Sequence, residues 1–128
     1  NPFLFFSKKN LTIKVHYDMY HGYGELDKAI EFLDNENRED FRTFVETQPS
    51  FNANNILICR SAELYSDYCK SLFQWLEKCE PLFGFDPNRK YNLIRVYAFL
   101  SERYLSYWFK KNSNYIRWPL KFHDITND

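Results

Sequence analysis

Residues Tyr91 to Asn112, which read YNLIRVYAFLSERYLSYWFKKN, decide how the chain folds. Apolar side chains recur in this stretch at steps of three and four, the spacing of one face of an α-helix. These are Leu93, Tyr97, Leu100, Tyr104 and Trp108. Further apolar residues widen that face until most of the helix circumference is apolar. A helix of this kind belongs inside a fold, so we expect Leu100 and Tyr104 to be buried.

The polar side of this predicted helix is narrow. It carries Arg95, Glu102 and Ser106, with Arg103 beside them. Burying charged groups on such a helix costs free energy, so they are expected to form ion pairs or to serve a function. Glu102 and the two arginines are therefore the leading functional candidates. The structural alternative is an ion pair between Glu102 and either Arg95 or Arg103.

Length and composition predict one globular domain over residues 1–128. Hydrophobic residues make up 45% of the chain and charged residues 27%, which argues against disorder. The formal net charge is zero, and this argues against a nucleic-acid-binding protein. No apolar run reaches the roughly 20 residues that a membrane-spanning helix needs. The three cysteines lack metal-type spacing and indicate reduced thiols in a cytoplasmic protein.

The rest of the chain predicts more helices and a few short strands. The predicted helices are Leu11–Tyr20, Glu25–Leu33, one capped by Asn37 and one capped by Ser61. The apolar run Asn55–Cys59 predicts a central strand that is buried on both faces. A last strand is predicted at Tyr115–Trp118. This pattern indicates a helix-dominated α/β structure with few strands.

Three stretches carry a resemblance to a known family. The most specific is Arg95 followed by FLSER at residues 99–103. The others are NILI at residues 55–58, followed by Tyr-Cys and Leu-Phe pairs, and Tyr17 and His21 followed by Glu-Leu. Together they resemble a bacterial family of GT-A-type glycosyltransferases, domain-of-unknown-function proteins that are linked to capsular and lipopolysaccharide polysaccharide synthesis.

The resemblance implies the acceptor-side, C-terminal portion of a GT-A-like fold, and therefore a fragment of a longer chain. The family's N-terminal half, with its His-Tyr-Arg-Arg-type segment and nucleotide-sugar site, is missing, and there is no Asp-x-Asp motif. Ala98 replaces the family's usual glycine, which favours an unbroken helix. The implied function is transfer of a sugar from a nucleotide sugar to a polysaccharide or lipid-linked acceptor, in the cytoplasm at the inner face of the membrane. The chain alone is expected to be inactive.

The resemblance also implies roles for single residues. Glu102 is the catalytic candidate, as the base that takes the proton of the acceptor hydroxyl or as the group that orients it. In a retaining enzyme it would instead stabilise an oxocarbenium-like state. Arg95 and Arg103 are substrate-binding candidates that could hold a diphosphate. Asn55 and His21 are candidates for acceptor contact. Their alternatives are a turn amide and a structural imidazole.

The resemblance implies no cofactor in this chain, and a divalent Mn²⁺ or Mg²⁺ ion only in the complete enzyme. His123 and Asp124 in the C-terminal tail are the candidate ligands for such an ion, and solvated tail residues are the alternative.

An aromatic and basic cluster near the end of the chain has two interpretations, peripheral membrane contact or core packing with a solvated basic rim. Its members are Tyr107, Trp108, Lys110, Lys111, Tyr115, Arg117 and Trp118. The aromatic fraction of the whole chain, 20%, also leaves open a different class of function. That alternative is a non-catalytic helical interaction or carbohydrate-binding module.

Overall fold

A computed structural model describes residues 11–117 of the chain. This part is helix-dominated, and between residues 11 and 117 there is no β-strand. The elements in chain order are α1 (Ile13–Tyr20), α2 (Glu25–Ile30), α3 (Asn35–Thr47), a 3₁₀ turn (Ala53–Asn55), α4 (Ala62–Phe83), α5 (Tyr91–Ile94) and α6 (Val96–Asn112). None of these helices combines the length and the apolarity that crossing a membrane requires.

The predicted central strand Asn55–Cys59 is wrong. The chain turns at Asn54 and Asn55, whose φ angles are 75° and 50°, a region that asparagine tolerates better than most residues. The following residues run without strand pairing, and Ile58 is 92% exposed. A strand needs a neighbouring strand to pair its backbone groups, and residues 11–117 supply none.

The predicted last strand, Tyr115–Trp118, is also absent where it can be followed. Residues 115–117 have no regular structure, and Trp118 lies outside the described residues. His123 and Asp124 lie outside them as well.

Side-chain caps explain where two of the helices begin. The Asp34 carboxylate accepts a hydrogen bond from the backbone N–H of Asn37 at 3.0 Å, so α3 begins earlier than the predicted Asn37 cap. The predicted Ser61 cap is confirmed, because its hydroxyl accepts from the N–H of Leu64 at 3.1 Å. α4 then ends at Gly84, whose φ of 63° suits a residue without a side chain.

α6 lies in the core, as its sequence predicts. Leu100 and Tyr104 are both 0% exposed. The ring of Tyr104 lies 5.0 Å from Trp75 in α4 and 5.4 Å from Phe41 in α3, measured between centroids. This aromatic cluster joins three helices, and its rings meet at tilted or perpendicular angles, which aromatic pairs prefer.

The stretch from Tyr91 to Asn112 is two helices rather than one. Arg95 has φ −100° and ψ 9° and separates α5 from α6. The hydrogen bonds of α5 end at Arg95, whose N–H donates to the carbonyl of Tyr91, and those of α6 begin there, since the N–H of Phe99 donates to the carbonyl of Arg95. α6 is unbroken at Ala98, as expected. The break turns Arg95 outwards to the surface.

Candidate functional site

A buried arginine lies at the centre of the candidate site. Arg103 is 0% exposed, although the sequence pattern placed it on the polar side of its helix. Its guanidinium carbon lies 5.1 Å from the ring centroid of Tyr17 in α1 and 4.4 Å from that of Phe51. Aromatic faces attract a cation and offset part of the cost of removing it from water. Burial also lowers the pKa of Arg103, while the charge of Glu102 opposes this shift.

Glu102 is fixed by this arginine. Its Oε2 accepts a hydrogen bond from Nη1 of Arg103 at 3.1 Å, and the same nitrogen donates to the carbonyl of Phe99 at 3.0 Å. The side chain of Glu102 keeps 16% of its surface exposed. The ion-pair alternative is therefore present, with Arg103 as the partner. The side chain is nevertheless not fully buried, unlike that of Arg103.

His16 is a member of the site that the sequence did not reveal. Its Nδ1 lies 3.2 Å from Nη2 of Arg103. A guanidinium has only donors, so Nδ1 must be the acceptor and the imidazole must be neutral with its proton on Nε2. Burial and the nearby charge of Arg103 both lower the pKa of His16, in agreement with this assignment.

His21 stacks on the ring of Phe99, with 3.8 Å between centroids and 27° between planes. Burial lowers the pKa of His21 to about 4, and the charge of Arg103 adds to the shift. Among residues 11–117 its buried Nδ1 has no hydrogen-bond partner. His21 is therefore a neutral imidazole at pH 7, and its protonation would put a second charge beside Arg103.

We expect the melting temperature of the protein to fall as the pH drops from 6.5 towards 4. In the unfolded chain His21 titrates near its ordinary value of 6.5, and in the folded chain near 4. Between these values the unfolded state binds more protons, so stability rises with pH. The stability that the neutral His21 contributes is fully present above pH 6.5 and is lost as the pH falls to about 4. Thermal unfolding over a series of buffers measures it.

His21→Phe is the matched variant, because it keeps the stack on Phe99 and removes the titrating group. Carboxylates also begin to titrate near the lower end of this range, so the comparison with the variant isolates the histidine. The melting temperature of the variant should fall less between pH 6.5 and pH 5. Equal slopes in the two proteins would show that His21 does not contribute.

Asn55 lies next to the site, although not in a strand. Its Nδ2 donates to Oγ of Ser101 at 3.0 Å, and the backbone N–H of Asn52 donates to Oγ of Ser106 at 2.7 Å. The segment between α3 and α4 is therefore held to α6 by the hydroxyls of two serines, which flank Glu102 in the sequence. The exposed Asn55 also borders a shallow cavity of about 320 Å³, which is lined further by Leu57, Cys59 and Tyr65.

Arg95 is exposed at the other side of Phe99. Its guanidinium carbon lies 5.7 Å from the ring centroids of Tyr91 and Phe99, and its Nη1 donates to the hydroxyl of Tyr91 at 3.0 Å. Within the described part of the chain it makes no ion pair with Glu102. Arg95, Glu102 and Arg103 thus belong to the first half of α6 or precede it directly. The other two predicted site residues contact the same half, His21 through Phe99 and Asn55 through Ser101.

The described residues contain no group of three or more histidine, cysteine or acidic side chains that could hold a metal ion.

The aromatic and basic cluster divides into two parts. Core packing was the alternative for the tryptophans, and it is confirmed for Trp108, which is buried, while Trp118 lies outside the described residues. Tyr107 is also buried. Lys110, Lys111 and Arg117 are exposed. Membrane contact by this rim stays a prediction.

Comparison with known proteins gives one match. The model of a family described as "Domain of unknown function (DUF4422)" matches residues 5–113. No curated protein and no solved structure matches the sequence.

Proposed function

The chain belongs to the DUF4422 family, and we propose that it forms the acceptor-side part of a glycosyltransferase. In this proposal it contributes to the transfer of a sugar from a nucleotide sugar to a polysaccharide or lipid-linked acceptor in surface polysaccharide synthesis. The FLSER stretch at residues 99–103, which carries the resemblance, supplies Phe99, Glu102 and Arg103 to the candidate site.

One observation carries the proposal. Glu102 is a partly exposed carboxylate, and among residues 11–117 its side-chain partner is the buried Arg103. A general base must lie within hydrogen-bond reach of the proton that it takes. A carboxylate that is already oriented also avoids the entropic cost of ordering at the moment of reaction. Glu102 would accept the proton of the acceptor hydroxyl as that oxygen bonds to the anomeric carbon of the donor sugar, while the bond from this carbon to the nucleoside diphosphate breaks and the diphosphate leaves with its electron pair.

The contacts of Arg103 suit a positioning role. Its guanidinium is anchored to its own helix through the carbonyl of Phe99, to α1 through His16 and to the aromatic rings that enclose it. Because the arginine is fully buried, substrate cannot replace these partners without opening the fold. Arg103 therefore acts through Glu102 and does not bind the diphosphate.

Two exposed residues at the same half of α6 as Glu102 have chemistry that suits substrate. The amide of Asn55 offers a donor and an acceptor to sugar hydroxyls. Arg95 offers a cation at the surface, where it can attract the diphosphate of a nucleotide sugar. We propose that the complete enzyme also contains a donor-binding N-terminal half and a Mn²⁺ or Mg²⁺ ion that is held outside the described residues. We place the enzyme in the cytoplasm, at the inner face of the membrane.

A transfer assay tests the proposal. The protein joined to a donor-binding half from its family, and the chain of 128 residues alone, are each incubated with radiolabelled nucleotide sugars and surface polysaccharide acceptors. We expect label in the polymer only with the joined protein, because the chain alone lacks the donor-binding motifs. Transfer by the chain alone, after contaminating enzyme has been excluded, would contradict the fragment interpretation. No transfer by the joined protein with any donor would favour the non-catalytic module instead.

A further inference from the structure

A second surface groove lies between α3 and the C-terminal half of α6. Its volume is about 410 Å³, within the range of pockets that hold small ligands. The residues that carry the argument are Asp40, Phe44 and Gln48 on one wall and Tyr107, Lys110 and Lys111 on the other. Lys110 follows Glu102 by eight residues on α6, which is about 12 Å along the helix axis. The groove is therefore separate from the candidate catalytic carboxylate.

An aromatic ring forms part of the wall. Phe44 is half-buried, and the core residue Phe41 lies nearly parallel to it, with 6.4 Å between centroids. The ring of Tyr107 lies 5.9 Å from Phe44 at a tilt of 56°. An aromatic ring that is held by neighbouring rings offers a flat apolar contact at low entropic cost. This surface suits the C–H face of a sugar ring.

The two lysines of the groove differ in their charge balance. Lys111 is neutralised by Asp40, with Nζ 2.8 Å from the carboxylate. Lys110 has no carboxylate within 4 Å among residues 11–117. Its Nζ lies 5.7 Å from the ring centroid of Phe44 and 3.5 Å from Oε1 of Gln48. The groove thus presents one uncompensated cation beside an aromatic ring and an amide.

We propose that this groove binds an acidic sugar unit of a glycan. The carboxylate of the sugar pairs with Lys110, the ring packs on Phe44, and the hydroxyls bond to the amide of Gln48. This inference rests on the proposed function, since the glycan would be the acceptor, held at a distance from the reacting hydroxyl. Binding energy from a remote part of a substrate can position its reacting part.

The chemistry of the groove favours a glycan over an acidic peptide. Peptides are commonly recognised through the edge of a sheet, through an apolar groove that receives a helix or, for acidic motifs, through a cluster of arginines. The groove is formed by two helices within the described residues, so it has no strand edge there, and its lining mixes the rings of Phe44 and Tyr107 with lysine and amide side chains and contains no arginine. An acidic sugar is bound by a cation for its carboxylate, an amide for its hydroxyls and an aromatic face for its ring. The groove offers all three.

Direct binding to the purified chain of 128 residues tests the inference, by calorimetry with four probes. These are tetragalacturonate, the neutral maltotetraose, tetraglutamate and inorganic phosphate. We expect tetragalacturonate to bind at least about tenfold more tightly than the other three, since a charge-assisted bond is worth roughly 1.4 kcal/mol or more. The affinity should also fall with added salt.

Three variants locate the site. Lys110→Met and Phe44→Leu should each weaken tetragalacturonate binding by about tenfold, and melting curves show whether they remain folded. Lys78→Met, at an exposed lysine of α4, should bind as the unchanged protein does. Binding is measured without a donor sugar and without transfer, so failure of the groove and failure of the transferase proposal give different results.

Four results would overturn the inference. They are no binding of tetragalacturonate, equal binding of maltotetraose, equal binding of tetraglutamate or phosphate, and unchanged affinity in the folded Lys110→Met variant. The third result would assign the groove to a peptide or a simple anion. The last would place the glycan elsewhere on the surface.

Discussion

Replacing Glu102 by glutamine should lower kcat of the joined transferase by about 10²–10⁴-fold, the usual worth of a positioned general base. Glutamine keeps the length of the side chain, and its amide oxygen can still accept the hydrogen bond from Nη1 of Arg103. What the variant loses is the group that takes the proton. Steady-state rates, measured well below the melting temperature and scaled to the folded fraction, give the result.

The same variant measures the structural role of the carboxylate. Arg103 loses its counter-charge but not its hydrogen bond, so we expect a loss of about 1–3 kcal/mol in the free energy of unfolding. Glu77→Gln, at an exposed acid of α4, is the control and should change neither quantity. A Glu102→Gln protein with unchanged melting and near-normal kcat would contradict both roles. A rate loss that merely follows unfolding would leave only the structural one.

Replacing Leu100 by alanine should lower the free energy of unfolding by about 2–5 kcal/mol. Leu100 is 0% exposed in α6, so the change removes buried apolar contacts and leaves a cavity. Urea unfolding of both proteins, followed by far-ultraviolet circular dichroism, measures the difference. Leu82→Ala in α4 is the matched control, because Leu82 is 37% exposed and should cost much less. Equal losses at the two positions would contradict the central place of α6.

Periodicity predicted the centre of this fold well, for a physical reason. A helix apolar on most of its circumference can lower its free energy only in the core, and α6 is there. The run Asn55–Cys59 shows the limit of such reasoning, since a short apolar run does not reveal whether a partner exists to cover it. The side chain of Ile58 is exposed, and two consecutive left-handed asparagines begin the segment. The Asn-Asn pair was the local signal for a turn.

The site was predicted only in part. Glu102 and Arg103 were identified because burying charged side chains on a helix costs free energy. Their pairing with each other was less expected, since adjacent residues on a helix do not usually face each other. The long arginine side chain turns inwards and reaches both its neighbour and the carbonyl of Phe99. Its contact with His16 spans 87 residues of sequence. No local pattern can show a pairing of that range, so His16 was missed.

The position of α6 along the chain has a consequence for how the protein is made. It is the last of the described helices, yet it packs against both α3 and α4. While a ribosome is still adding residues before α6, Phe41 and Trp75 have already been synthesised without Tyr104, the ring that contacts both of them in the finished core. Until α6 follows, the nascent chain therefore has uncovered aromatic surface, and exposed surface of this kind favours chaperone binding and association with other unfinished chains.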